Sequence, residues 1–225
     1  LIYLALYPGL GSFPGILDWS SKARYESEMA QAEEEYRPLF ARYAATELTA
    51  LAENKSAMRT AERLYASYCS TCHGSDARGA AGFPNLRDGI WSWGGEPDTI
   101  KATILNGRNG VMPAWALPLG GDDAVADVSE YVISLTGRNP EIARLESGKE
   151  KFQAFCVACH GVDGTGNPAF GAPDLTDSVW LYGGSRKAVR ESIAEGRKGQ
   201  MPAHGEFLGE DKVHLLAAYL LSLNP

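Results

Sequence analysis

The chain is a tandem duplication, and that constrains its fold more than any other feature. An offset of 87 to 89 residues lays 61–135 onto 148–223. Ala61-Glu-Arg-Leu-Tyr65 answers to Gly148-Lys-Glu-Lys-Phe152, and Asn85-Leu-Arg-Asp88 to Asp174-Leu-Thr-Asp177. Ile90-Trp91-Ser-Trp-Gly94-Gly95 answers to Val179-Trp180-Leu-Tyr-Gly183-Gly184, and Gly107-Arg108-Asn-Gly110-Val-Met112-Pro113-Ala114 to Gly196-Arg197-Lys-Gly199-Gln-Met201-Pro202-Ala203. The copies close on Tyr131-Val-Ile-Ser-Leu135 and Tyr219-Leu-Leu-Ser-Leu223. Two repeats of small-domain size leave an unrepeated leader. The boundaries are therefore expected at 1–56, 57–138 and 139–225.

All four cysteines fall inside the duplication, as Cys69-Ser-Thr-Cys72-His73 and Cys156-Val-Ala-Cys159-His160. Paired thiolates suggest zinc, but the halves of such a site usually stand about 15 to 20 residues apart. From Cys72 to Cys156 the chain runs 84 residues. A thioredoxin-type redox pair needs a strand-to-helix setting, which neither motif has. The histidine that follows both pairs decides between these readings. C-x-x-C-H attaches haem c covalently: two cysteines one helical turn apart form thioethers, and the histidine lies under the iron. Two haems c are expected, on Cys69, Cys72, Cys156 and Cys159, with His73 and His160 as proximal ligands. Such attachment is made on the oxidising side of the bacterial inner membrane, which places the domains in the periplasm.

Each repeat also carries one Gly-x-Met-Pro, with Met112 lying 39 residues after His73 and Met201 lying 41 after His160. A lone methionine usually fills a core gap. Two of only four methionines at matched points after haem motifs read instead as sixth ligands. His/Met ligation raises the reduction potential and suits electron transfer. Met29 and Met58 lie outside the repeat and are expected to pack. His204 and His214 have no histidine counterpart in the first repeat, so both are expected at the surface or a pocket rim. Trp91 and Trp180 read as rings filling a haem core or hydrogen-bonding a propionate, and Arg108 and Arg197 as propionate partners or loop-fixing cations.

Helices are expected at 57–69, 98–106 and 122–135, and again at 146–156, 185–195 and 209–223, with Gly107 and Gly196 ending the middle helix of each set. This pattern resembles the class I cytochrome c fold: an all-α chain of two tandem domains. In that fold the first and last helices cross at small and aromatic residues, which implies Ala61 and Tyr65 against Tyr131, and Gly148 and Phe152 against Tyr219. The net charge of −7, with no basic stripe, excludes a nucleic-acid surface.

The leader opens on apolar Leu1 to Leu6, passes a turn-rich stretch from Tyr7 to Gly15, and continues past Trp19 as a charged run to about Ala52 that reads as an amphipathic or solvent-facing helix. Six apolar residues cannot span a bilayer, which takes about 20. Leu1 to Tyr7 is therefore expected to be the exit of a membrane anchor lying upstream.

The opening Tyr3-Leu-Ala-Leu-Tyr-Pro-Gly-Leu-Gly-Ser-Phe13, then Trp19-Ser-Ser, Tyr25, Glu28 and Tyr36-Arg-Pro-Leu-Phe40, followed by two c-type haem units, resembles subunit III of the cbb3-type cytochrome c oxidases. The resemblance covers essentially the whole chain. It implies an anchored subunit that takes electrons from soluble or membrane-anchored donor cytochromes and passes them through a monohaem subunit to the catalytic haem-copper subunit. It also implies His73 with Met112 on one iron and His160 with Met201 on the other, leaving no open site for oxygen. A free periplasmic dihaem shuttle would share these residues but has no need of the leader. A dihaem peroxidase-type enzyme would need an exchangeable ligand position.

Overall fold

The computed structural model describes residues 2–9 and 13–224. Leu1, at the head of the expected membrane exit, and Leu10, Gly11 and Ser12 of the turn-rich stretch lie outside the described residues. By packing, the chain falls into two compact units, Leu1–Ala45 and Thr46–Pro225.

In the first unit, α1 (Ile2–Leu6) turns back at Gly15, whose φ of +77° lets its backbone lie against the Leu6 carbonyl. The Tyr3 and Tyr7 rings stack at 4.9 Å, and Trp19 meets Tyr7 edge-on at 6.0 Å. Helix α2 (Ser21–Ala44) starts where Ser20 accepts a hydrogen bond from the Ala23 amide at 3.0 Å. Its exposed faces carry ion pairs one turn apart, among them Arg24–Glu28 at 2.6 Å, which suits the expected solvent-facing leader helix. Met29, expected to pack, is 49% exposed on this helix. No helix among the described residues is long and apolar enough to cross a membrane.

The helical run stops at Ala44 rather than near Ala52 because Glu47 starts a new element. Its carboxylate accepts from the Thr49 and Ala50 amides, capping α3 (Leu48–Ala52) at the head of the second unit. The first haem motif lies between α4 (Lys55–Tyr68), capped by Asn54, and α6 (Pro97–Asn106); the motif itself is the single turn α5 (Ser70–His73). Strand β1 (Arg108–Met112), the turn α7 (Ala116–Leu119) and α8 (Asp122–Leu135) complete the first repeat. The second runs α9 (Ile142–Phe155), α10 (Val157–His160), α11 (Arg186–Glu195), β2 (Arg197–Met201), α12 (Gly205–Leu208) and α13 (Glu210–Ser222). The expected helices thus form within a few residues of their predicted ends.

Their packing differs from the expectation. Helix α13 of the second repeat lies on α3, α4 and α6 of the first, while α8 of the first lies on α9 and α11 of the second. The aromatic pairs are Tyr65 with Tyr219 (5.5 Å) and Tyr131 with Phe152 (5.2 Å), not the pairings within each repeat. Gly148 crosses α8 so closely that an added Cβ would stand 2.1 Å from the Asp127 carbonyl oxygen. The repeats have exchanged their closing helices.

The two-stranded sheet explains the exchange. Strands β1 and β2 pair antiparallel, Gly110 opposite Gly199 and Arg108 and Met112 opposite Met201 and Arg197. Equivalent strands paired about equivalent glycines create a local two-fold axis, as in a symmetric dimer interface. The same symmetry sets Gly171 against Trp93 and Gly82 against Tyr182. Each strand carries its chain past the axis, so everything after it packs on the other repeat. The composition of the cores follows: one contains Phe152, Val189 and Ile193 together with Val125, Val128 and Val132.

Candidate functional site

Each C-x-x-C-H motif is held at both ends. The His73 amide bonds to the Cys69 carbonyl at 3.0 Å, and the His73 carbonyl accepts from the Gly79 amide at 2.8 Å; His160 repeats this with Cys156 and Gly166, both at 2.9 Å. Gly79 and Gly166 have φ of +70° and +81°, and a Cβ on either would collide with the backbone of 83–84 or 172–174. That tight return brings a proline carbonyl under each imidazole. His73 Nδ1 stands 3.1 Å from the Pro84 oxygen, and His160 Nδ1 stands 3.2 Å from that of Pro173.

A carbonyl can only accept, so Nδ1 carries the proton in both rings and the Nε2 lone pair is left to a metal. Burial holds both imidazoles below their ordinary pKa, against the opposing proline hydrogen bonds, and His204 adds to the lowering at His73. They are neutral donors near pH 7. Burial also pushes the Cys69 and Cys156 thiols up to about 11. Protonated, half-buried sulfurs are poor zinc thiolates or redox nucleophiles. With Cys72 and Cys159 exposed one turn away, this donor set fits a covalently held haem. Neither proline carbonyl was anticipated, although the Pro-Asx-Leu shared by 84–86 and 173–175 marked both places.

The remaining predicted residues sort into two groups. Met112 packs against the same buried core as Cys156, Val157, Leu175 and Trp180, and the Trp115 ring lies 5.8 Å from that of Phe155, next to Cys156. Met112 is therefore placed beside the second motif, not the first. The backbone of 201–203 lies against Gly107 in the first repeat, His204 donates its amide to the Ile104 carbonyl at 3.0 Å, and Phe207 meets Tyr68 next to Cys69 at 5.6 Å. Met201 thus belongs with the first motif. Each methionine therefore lies on the side of the other repeat's motif, because each strand ends on the far side of the two-fold axis.

The arginines begin the strands and stay with their own repeats. Arg108 Nε donates to Thr103 Oγ1 at 2.9 Å beneath a guanidinium 4.9 Å over Trp93. Arg197 does the same with Ser192 and Tyr182, and also pairs with Glu191 at 2.9 Å. Trp91 and Trp180 fold back onto Gly95 and Gly184, where a Cβ would meet the indole at 2.5 and 2.7 Å. That contact explains the shared Trp-x-x-Gly-Gly. His214 is not at the surface: it is 8% exposed, with Nε2 2.8 Å from the Thr46 oxygen.

A family profile described as cytochrome C oxidase, cbb3-type, subunit III matches residues 56–132 and 143–220. The chain belongs to the cbb3-type oxidase subunit III family. Its similarity to the cbb3-type cytochrome c oxidase subunit CcoP of Rubrivivax gelatinosus is 45% identity over 224 residues, covering 100% of this chain and 73% of the relative. CcoP of Cereibacter sphaeroides is 33% identical over 239 residues (98% and 82%), and FixP of Bradyrhizobium diazoefficiens 36% over 226 (93% and 77%). As a subunit III, the chain consists of two tandem cytochrome c domains behind an N-terminal helix, binds haem c in both, and works as an electron-transfer subunit of the cbb3-type oxidase.

Proposed function

We propose that this subunit is a non-catalytic relay on the periplasmic face of the bacterial inner membrane, held there by an anchor upstream of Leu1. It takes electrons from a donor cytochrome and passes them through the monohaem subunit to the catalytic haem-copper subunit. The observation that carries this reading is the matched pair of neutral imidazoles, each fixed by a proline carbonyl with Nε2 free and each sharing its half of the molecule with one methionine.

Bound haem c supplies a reversible one-electron couple. Cys69 and Cys72, and Cys156 and Cys159, would hold one group each through thioethers, and His73 and His160 would hold the irons from one side. Met112 and Met201 would close the sixth positions, so that neither site has room for oxygen chemistry. Pro84 and Pro173 fix the imidazole planes, which keeps the rearrangement accompanying electron transfer small. Trp91, Trp180, Arg108 and Arg197 stand as the candidates for propionate contact. The duplication boundaries stay at 57–138 and 139–225 as units of sequence, although the closing helices are shared across them.

The test is to purify the full chain from membranes in mild detergent. Two haems c per chain, low-spin in both oxidation states and accompanied by an oxygen-reducing complex, support the relay. High-spin iron at rest would favour a peroxidase-type enzyme, and a chain purified alone would favour the free shuttle.

A further inference from the structure

We infer that helix α2 is a docking strip for another subunit of the oxidase: its apolar seam pairs with an amphipathic helix whose flanks are basic. This rests on the reading of the chain as a bound oxidase subunit, and goes beyond it by naming the surface and the chemistry of what covers it.

The seam lies in the spacing. Tyr25, Met29, Ala32, Tyr36, Leu39 and Tyr43 recur at alternating intervals of four and three residues, the repeat by which two helices lock along a shared stripe. At about 3.6 residues per turn all six share one face, and at 1.5 Å per residue they run along about 27 Å of it. Pro38, inside the helix, falls on the opposite face and leaves the seam unbroken. Tyr43 is 3% exposed, whereas Tyr25, Met29 and Tyr36 are 62%, 49% and 50% exposed. One end of the seam is packed and the rest is bare. Apolar residues scattered singly on a surface are ordinary, but a continuous exposed stripe marks an interaction site, and tyrosine is among the residues that anchor one.

Charge decides the occupant. Beside the seam stand Glu26 and Glu33 on one side, and Glu28 and Glu35 on the other. Lys22, Arg24 and Arg37 reach three of these acids from one turn away, at 3.8, 2.6 and 3.8 Å; exposed pairs of this kind are worth little and are readily exchanged. The flanking cation, Arg42, lies over the Tyr43 ring at the packed end. A second copy of α2 would set glutamate against glutamate along both flanks, in either orientation. An anionic lipid surface attracts basic segments, not acidic ones. A helix with lysine or arginine at the facing positions meets all four acids and covers the tyrosines with its own apolar seam. The strip contains none of the haem-binding residues, so docking and redox chemistry are separable.

The test uses the oxidase complex purified from membranes in mild detergent, with a photo-crosslinking amino acid replacing Met29 or Tyr36 on the seam, or Ser27 or Ala41 on the opposite face. The seam positions should cross-link to a helix of another oxidase subunit that carries lysine or arginine beside its apolar stripe, and the opposite face should not. Glu28→Lys combined with Glu35→Lys should release this subunit from the complex at lower salt, with its haem content and spectra unchanged; the milder Glu28→Gln with Glu35→Gln should shift release in the same direction. Seam cross-links to a second copy of this chain, to lipid, or to a helix with acidic flanks overturn the inference, as do equal yields from both faces. An intact complex with no seam cross-link overturns the docking strip alone, whereas a chain that purifies without other subunits overturns the relay reading as well.

Discussion

The ring of Tyr65 stands 5.5 Å from that of Tyr219, so the first helix of one repeat is closed by the last helix of the other. The Tyr65 hydroxyl also donates to the Gly74 carbonyl at 2.8 Å, just past the first haem motif. Phe152 holds the equivalent place in the second repeat without a hydroxyl. Tyr65→Phe should therefore cost about 1 kcal/mol, the worth of one hydrogen bond. In denaturant titration of the holoprotein the loss should fall on the first haem, read by its Soret band.

Gly148 marks the other closing contact. An alanine there would press its Cβ into the Asp127 carbonyl and the Tyr131 side chain, and such overpacking costs about 1–3 kcal/mol. Gly148→Ala should lower the melting temperature seen by circular dichroism. Ala61→Gly, at the equivalent place where a methyl already fits with no exposure, should cost about 1 kcal/mol through helix propensity and roughly as much again through the buried methyl it removes.

Glu130 is fully buried on α8 and joins three elements. Its carboxylate meets Arg186 at 3.0 Å and Arg190 at 3.5 Å, and accepts from the Glu141 amide at 2.9 Å. Burial raises its pKa, but the Glu141 amide and the two arginines outweigh that and bring it below the ordinary carboxylate value. A depressed folded-state pKa contributes stability above the unfolded value, about 4.3, and loses it as pH falls through the folded one. Glu130→Gln should cost about 2 kcal/mol at pH 7, discounted from the fully buried range because Arg186 and Arg190 stay partly exposed. The gap between variant and parent melting temperatures should narrow below pH 4.

Gly79 gives its site through backbone alone. Gly79→Ala places a β-carbon 2.3 Å from the Phe83 carbonyl at a positive φ, a misfit worth more than about 1 kcal/mol. Shifting that loop moves the Pro84 oxygen away from His73. A less polarised imidazole is a weaker donor to oxidised iron, so the potential of the first haem should rise in redox titration while the second stays unchanged.

Much of this was legible in the residues. The C-x-x-C-H motifs, the matched methionines and the glycines ending α6 and α11 act locally, and local chemistry survives into the fold. The exchange of closing helices was not legible, because α8 and α13 carry interchangeable faces, Tyr131-Val-Ile-Ser-Leu135 and Tyr219-Leu-Leu-Ser-Leu223. Either could close either site. The choice falls to the five-residue ribbon centred on Gly110 and Gly199, whose alternation is too short to stand out as a strand. His214 was misplaced for a similar reason: its partner is the Thr46 carbonyl, far away in sequence.

The relay itself is tested most directly by mixing the fully reduced oxidase complex with oxygen and following the haems of this subunit in time. Both should oxidise within a single turnover, and replacing Met112 or Met201 by histidine should leave that oxidation intact while making the altered haem harder for a donor cytochrome to re-reduce. Haems that stay reduced while the complex consumes oxygen at full rate would contradict the account.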